Sequence, residues 1–238
     1  MNIVNLLELE NGEKITAMFP IQEFADDKFL FFVTRQGIAK RIVLSDLQNI
    51  RRAGLRALNL NEDDALVDVR LTDGEQNILI ATHEGKAICF DENEVRAMGR
   101  VATGVRGIKL AEGARVAAFN VVPAGKVAWT YEEGENGLTS GSGAVVLTVA
   151  GDSDALPGTE NGAAKVTPLE MYPTKGRATG GVRSQRFLKG QNTLILAWVG
   201  LYPLHASTSA GSPVELPKPD MRRDGSGVDL ASPIAFIA

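Results

Sequence analysis

The chain has 238 residues, 44% of them hydrophobic, which is enough for one large domain or two small ones with a buried core. Its formal net charge of −4 excludes a nucleic-acid binder whose whole surface is basic, but not one with a local basic stripe. The single cysteine, Cys89, excludes an intrachain disulfide and points to a reducing cytoplasm, and no apolar run approaches the roughly 20 residues that span a bilayer.

Twenty-five glycines, ten prolines and few long helix-like runs predict an all-β chain of short strands joined by turns. Residues 2–9 (NIVNLLEL) read as a strand that begins abruptly after Met1, as in a piece of a longer chain. Asn11-Gly12 is a turn signal, and residues 13–20 (EKITAMFP) alternate enough to predict a second strand. Residues 28–34 (KFLFFVT) form a continuous apolar run of strand length, as expected of a strand buried on both faces. Gly37 then turns the chain into residues 38–44 (IAKRIVL), and an arginine-glycine stretch follows at residues 51–60 (RRAGLRALNL).

The same order returns in residues 65–71 (ALVDVRL), 78–82 (ILIAT), a turn at Gly85, 86–90 (KAICF), and a fuller arginine-glycine module at 98–110 (MGRVATGVRGIKL). Thr34 and Thr82 lie 48 residues apart, and Gly54 and Gly104 lie 50 apart. Such a unit, with four short strands, is the mark of a propeller-type blade. A third, longer unit starts at 115–122 (RVAAFNVV). Its excess sits in residues 132–143 and 152–162, read as surface loops, its apolar strand is 144–150 (AVVLTVA), and its module is 177–187 (RATGGVRSQRF). A fourth begins at 193–199 (TLILAWV) and ends on a worn module at 223–230 (RDGSGVDL). Thr34-Gly37, Thr82-Gly85, Thr148-Gly151 and Thr208-Gly211 form one T-x-x-G series, so four blades are expected, over residues 13–64, 65–114, 115–192 and 193–238. The strand within 1–12 completes or extends the ring.

The chemical candidates are few. His83 and His205 have no glutamate or cysteine at metal-ligand spacing, and Asp152, Asp154 and Glu160 lack the ordered pattern of a calcium loop, so no metal is expected. No P-loop, dinucleotide fingerprint or nucleophile elbow is present, so no catalytic residue and no cofactor is assigned. Cys89 within KAICF, Trp129 and Trp198 read as core residues. A propeller enzyme would need titratable groups lining a central channel, and the runs at 29–34, 78–82 and 144–150 are apolar.

The module is different, because its arginines recur at one place in the repeat. Arg52 and Arg56 flank Gly54, Arg100 and Arg106 flank Gly104, and Arg177 and Arg183 flank Gly181. Glycine permits a tight turn or close approach to a ligand, and flanking arginines can hold phosphate oxygens in bidentate fashion. The plainer alternative pairs these arginines with carboxylates such as Asp91, Glu92 and Glu94. Charge repeated once per blade makes a stripe of the kind that tracks a nucleic-acid backbone, with Arg35, Lys40, Arg41, Arg51, Lys86, Lys109, Lys175 and Arg186 as further members. Asp229 replaces the second arginine in the worn copy, so the stripe is expected to fade at the fourth blade.

Residues 2–24, followed by FFVTRQGIAKR, RLTDGEQNILIATHEGKAICF and VRAMGRVATGVRGIKL, resemble the C-terminal domain of the bacterial DNA gyrase A protein, up to about Phe119. From Ala144 onward, VVLTVAG, AAKVTPLEMYPTKGRATGGVRSQRFLKG and MRRDGSGVDL are more similar to the corresponding domain of the A protein of an actinobacterial topoisomerase IV. The change of likeness raises a mosaic chain joined between Gly104 and Ala144. The resemblance implies a β-pinwheel, that is, propeller-like blades with exchanged strands, whose outer edge bends duplex DNA. It also implies partners in the rest of the A protein and its ATPase subunit, and strand breakage by a tyrosine in a part of the A protein outside this sequence. The family's QRRGGKG-type box is absent, RRAG at residues 51–54 being its nearest echo, which argues against strong chiral wrapping. The alternative from another class is a propeller-like scaffold for protein contacts with little DNA affinity.

Overall fold

A computed structural model of the chain describes residues 13–50, 54–133, 139–156 and 158–238. The strand expected at residues 2–9 and the Asn11-Gly12 turn lie outside these. In chain order the strands are β1 (Phe29–Thr34), β2 (Ile38–Val43), β3 (Leu66–Thr72), β4 (Gln76–Thr82), β5 (Lys86–Asp91), β6 (Val105–Arg106), β7 (Val116–Pro123), β8 (Thr130–Glu133) and β9 (Thr139–Ser142). They continue as β10 (Ala144–Gly151), β11 (Ala163–Pro168), β12 (Val182–Arg183), β13 (Thr193–Leu201), β14 (Ala206–Ser207), β15 (Pro213–Val214), β16 (Val228–Asp229) and β17 (Phe236–Ile237). The described residues contain no α-helix, and single 3₁₀ turns at Leu44–Leu47, Glu92–Glu94 and Leu169–Met171 follow β2, β5 and β11.

Three four-stranded sheets run in the orders β3-β1-β2-β6, β7-β4-β5-β12 and β13-β10-β11-β16, and a three-stranded one runs β17-β14-β15. The sheets therefore do not follow contiguous stretches of chain. Each four-stranded sheet takes its first strand from the start of the next repeat, and its last, of two residues, from the arginine-glycine module of that repeat. This exchange of strands is what makes the all-β fold a pinwheel. In the fourth sheet the equivalent free edge is β15. Pro213 stands there two residues beyond Gly211, as Ala39, Ala87 and Ala164 stand beyond Gly37, Gly85 and Gly162. Proline has no N–H to offer a donated strand, which blunts the edge.

Strand periodicity explains the continuous apolar runs. On β4, Ile78 and Ile80 pack toward Phe31, Val33 and Ala39 of the first sheet, whereas Leu79 and Ala81 pack toward Ala144, Val146 and Ala150 of the third. A further cluster, with Val145, Leu147, Ala206 and Val214, joins the third sheet to the fourth. Each large side chain buried this way contributes about 1.5–3 kcal/mol. Among the described residues no such cluster joins the fourth sheet to the first. The flank of the first sheet is covered by its own segments, with Ala17, Phe19, Leu55 and Leu58 packed against Phe32, Ile42 and Val69.

Four expectations are corrected. Residues 13–20 form no strand, because no described edge pairs with them and their contribution is apolar cover through Ala17 and Phe19. The segment 132–143 is not a plain loop, since β8 and β9 pair as a hairpin beside the stacked rings of Trp129 and Tyr131, 5.9 Å apart. The third T-x-x-G is not a turn: β10 continues through Gly151, and the hairpin reverses at Gly162 with φ +71°, after an insertion folded back by a hydrogen bond from Asp152 N to Glu160 Oε2 of 2.7 Å. The runs expected to face a central channel are second in their sheets, behind the first strands β3, β7 and β13, of which β7 packs against both β3 and β13.

Candidate nucleic-acid interface

Each module lodges on the preceding sheet in the same register. Val105 lies opposite Ala39 and Arg106 opposite Ile38, Val182 opposite Ala87 and Arg183 opposite Lys86, and Val228 opposite Ala164 and Asp229 opposite Ala163. The glycine before each pair is there for contact. A Cβ on Gly104 would stand 2.7 Å from the Ala39 carbonyl oxygen, one on Gly181 2.6 Å from that of Ala87, and one on Gly227 2.6 Å from that of Ala163. The close approach that glycine permits is therefore to a neighbouring strand rather than to a ligand.

The segment leading into each module lies along the same strand. Met98 N donates to Arg41 O at 2.9 Å, Lys175 N to Cys89 O at 3.2 Å, and Asp220 N to Val166 O at 2.8 Å. Successive modules are also stitched to one another. Ala178 N donates to Gly107 O at 2.7 Å, Lys109 N to Thr179 O at 2.8 Å, and Arg186 N to Gly225 O at 2.9 Å. The modules at 98–110, 177–187 and 223–230 thus run side by side along the outer strands.

The expected site residues divide accordingly. Arg56, Lys86, Arg100, Arg106, Lys109, Lys175, Arg183 and Arg186 are exposed, and none of their side chains donates to another described residue. Arg177 is half-buried, with Nε donating to Glu94 O at 2.9 Å and Nη1 to Arg106 O at 3.0 Å. Arg51 and Arg52 lie outside the described residues. Among the described residues Arg100, Arg106 and Arg183 form no ion pair with a carboxylate; Glu92 pairs instead with Arg41, and Asp91 accepts from Asn93 N at 2.7 Å. Asp229 stands where Arg106 and Arg183 stand in the earlier sheets.

Three expected members are misplaced. Lys40 is fully buried, and its ammonium donates to the carbonyls of Ala57 (2.9 Å), Arg100 (2.7 Å) and Ala102 (2.6 Å). Burial holds its pKa below the usual lysine range. Arg41 is buried too, its guanidinium 3.3 Å from Glu92 Oε2, 2.9 Å from Asn93 Oδ1 and 4.4 Å over the Phe29 ring. Arg35 is exposed but sits in the β1–β2 turn. Its backbone there bonds Ala65 and Val116 beside the ends of β3 and β7, and its guanidinium donates to Asp63 O.

Other titratable groups are held by burial and hydrogen bonds. Burial pushes the Cys89 thiol up to about 11. His83 Nδ1 lies 3.1 Å from Thr193 Oγ1 and 3.2 Å from Leu194 O, and its pKa is lowered by burial and by Arg115. Sequence reasoning missed Lys165, which is buried and lowered to about 8 by desolvation against the pull of Asp220, and Arg223, whose Nη1 donates to Arg183 O. The three-residue offset that places Lys40 after Gly37 would have found Lys165 after Gly162.

The family description "DNA gyrase C-terminal domain, beta-propeller" matches residues 28–73, 76–123 and 158–195. The DNA gyrase A subunit of Haemophilus influenzae is 37% identical over 196 residues, covering 82% of this chain and 22% of that protein. That of Halalkalibacterium halodurans is 54% identical over 106 residues, 44% of this chain and 13% of that protein. That of Staphylococcus aureus is 34% identical over 226 residues, 94% of this chain and 23% of that protein, so one relative aligns across both halves of the sequence. The chain spans less than a quarter of the length of these relatives. Among solved structures, the C-terminal domain of a DNA topoisomerase IV superposes with a TM-score of 0.78 at 23% identity, over all of this chain and 69% of that one. A DNA gyrase A C-terminal domain superposes with a TM-score of 0.71 at 19% identity, over all of this chain and 74% of that one. With more than half of its residues matched by that description, the chain belongs to the DNA gyrase C-terminal domain family.

Proposed function

We propose that this chain is a non-catalytic module of the A protein of a type IIA topoisomerase that binds and bends duplex DNA along its outer edge, acting with the rest of that protein and with an ATPase subunit. The observation that carries the reading is the stitching of successive modules. It sets Arg106 and Arg183, whose side chains are exposed and bond no described residue, at equivalent places on adjoining sheets, with Lys86, Lys109, Lys175 and Arg186 nearby. Cations spaced along an edge suit phosphate contacts, which are indifferent to base sequence. The net charge of −4 and the acid at Asp229 favour a second reading, a scaffold for protein contacts.

A fluorescence anisotropy titration on a duplex a few tens of base pairs long separates the two. Binding should weaken linearly in log affinity against log salt. The double substitution R106A/R183A should lower affinity for unrelated sequences alike and reduce the salt slope by about 0.9 for each phosphate that is no longer neutralised. A duplex left unbound at low salt, or a slope unmoved by the double substitution, points to the scaffold.

A further inference from the structure

We propose that Arg177 and Arg223 are positioning residues, each splinting the backbone of the exposed arginine in the preceding module, and are not phosphate contacts themselves. Each module carries its first arginine six residues before a second site: Arg100 before Arg106, Arg177 before Arg183, Arg223 before Asp229. The first arginine does not serve its own module. Arg177 Nη1 reaches Arg106 O at 3.0 Å while its Nε holds Glu94 O at 2.9 Å, and Arg223 Nη1 reaches Arg183 O. Both are half-buried, whereas the arginines they hold are exposed.

The strands being held are short. β6 pairs with β2 through Val105 and Arg106, and β12 pairs with β5 through Val182 and Arg183. A two-residue strand frays readily, so one further bond to its terminal carbonyl is a large share of what fixes the direction of the following side chain. Arginine suits the task because its planar fork presents donors in fixed directions, and Arg177 uses two of them on two carbonyls belonging to different segments. A lysine in its place would have to reach both with a single nitrogen.

The first module supplies a contrast. Arg100 is exposed and holds no carbonyl among the described residues. The segment there is tied instead by Asn59 Nδ2 donating to Val101 O at 2.6 Å and by Lys40 Nζ donating to Arg100 O at 2.7 Å. Arg100 is therefore free to act for itself, and the chain contains its own control.

The functional arm of this inference rests on the DNA-binding reading, and the test separates the two. In anisotropy titrations R177A should weaken duplex binding about fivefold, and should cost less than about twofold when added to R106A. R223A should behave likewise toward R183A. The pairs R177A with R183A and R100A with R106A should be additive. R177K, which keeps the charge, should not restore affinity. In the DNA-free protein, amide exchange should rise at residues 105–107 in R177A and at 182–184 in R223A. Equal losses in both backgrounds, or affinity rescued by R177K while exchange at residues 105–107 stays raised, would mean that Arg177 touches phosphate and would overturn the proposal. Unchanged exchange in the free protein would overturn it whatever the DNA result. If the parent chain binds no duplex while exchange rises as expected, the DNA reading falls and the splint remains.

Discussion

Lys40 and Lys165 hold the same place in two sheets, three residues beyond the turn glycines Gly37 and Gly162, and both are buried under a donated module. Their surroundings differ. Lys40 gives all three of its protons to carbonyls, two of them on the incoming segment at Arg100 and Ala102. Lys165 has one hydroxyl, that of Thr167, and lies among Asp220, Arg222, Arg223 and Asp224 of its incoming segment. Between them, the second sheet places Ile88 at this position, 3% exposed. The strand exchange is the same in all three sheets, so the lysine does not specify it. What recurs is the glycine pressed against an alanine carbonyl and the backbone bonds beside it. The side chain beneath the module is a local solution, well satisfied in the first sheet, apolar in the second and poorly satisfied in the third.

The same contrast holds directly after β2, β5 and β11. Leu44 and Leu169 fill this place in the first and third sheets, and Glu92, with no exposure, fills it in the second. Its carboxylate accepts from Thr72 Oγ1 at 2.6 Å, Gln76 N at 2.9 Å and Arg41 Nη1 at 3.3 Å, which joins the first sheet to the second through polar groups. Glu92→Leu imitates the other sheets but strands a buried guanidinium, so it should cost about 3–5 kcal/mol in urea denaturation. Adding Arg41→Met should recover much of that. A loss below about 1 kcal/mol for the single substitution, less than the usual cost of a buried charge without its partner, would show that the pair does not hold these sheets together.

Lys40→Met sharpens the comparison at a lower level. It leaves three carbonyls without their donor and should destabilise the protein by about 2–3 kcal/mol, some of the cost being relieved where solvent reaches the incoming segment. The expected structural signature is faster amide exchange across residues 100–105, with residues 182–184 unchanged. Equal exchange at both places would mean that the ammonium is not what ties the first module down.

Much of the fold can be read from the chain. KFLFFVT, ILIAT and AVVLTVA announce strands buried on both faces because nothing in them breaks the apolar run, and the recurring glycines mark the repeat. The exchange cannot be read, because β6, β12 and β16 are two residues long and pair with strands far upstream. Lys40 and Arg41 look solvent-facing in sequence, since charges inside a strand usually are. The acceptors that bury them are not local: Glu92 lies 51 residues after Arg41, and Ala102 lies 62 after Lys40. Gly151 reads as a turn because its T-x-x-G is intact, and only the carboxylate of Glu160, folded against it, explains why the strand continues. The candidate site is legible as a series of arginines and illegible as a division of labour, because a guanidinium holding a carbonyl and one facing solvent look alike in sequence.

Lys165→Met is the smallest expected change and the one that depends on pH. Burial lowers the folded-state pKa of Lys165 to about 8, whereas an unfolded lysine titrates at its ordinary 10.5. Between these values the unfolded chain binds the proton and the folded one does not, so stability from this site rises as pH climbs through that window. Below about pH 8 the folded protein carries the full cost of a charged, desolvated amine. A methionine removes that cost together with the single bond to Thr167 Oγ1, so at pH 7 the variant should lie within about 1 kcal/mol of the parent or above it. The parent should gain on the variant from pH 8 to 10.5, and Lys40→Met should show a deficit of the opposite sign at pH 7. Urea midpoints of the three proteins at about pH 7 and about pH 9.5 measure this. A Lys165→Met protein as crippled at neutral pH as Lys40→Met would mean that the third module leans on its lysine as the first does, and the contrast between the two sheets would be lost.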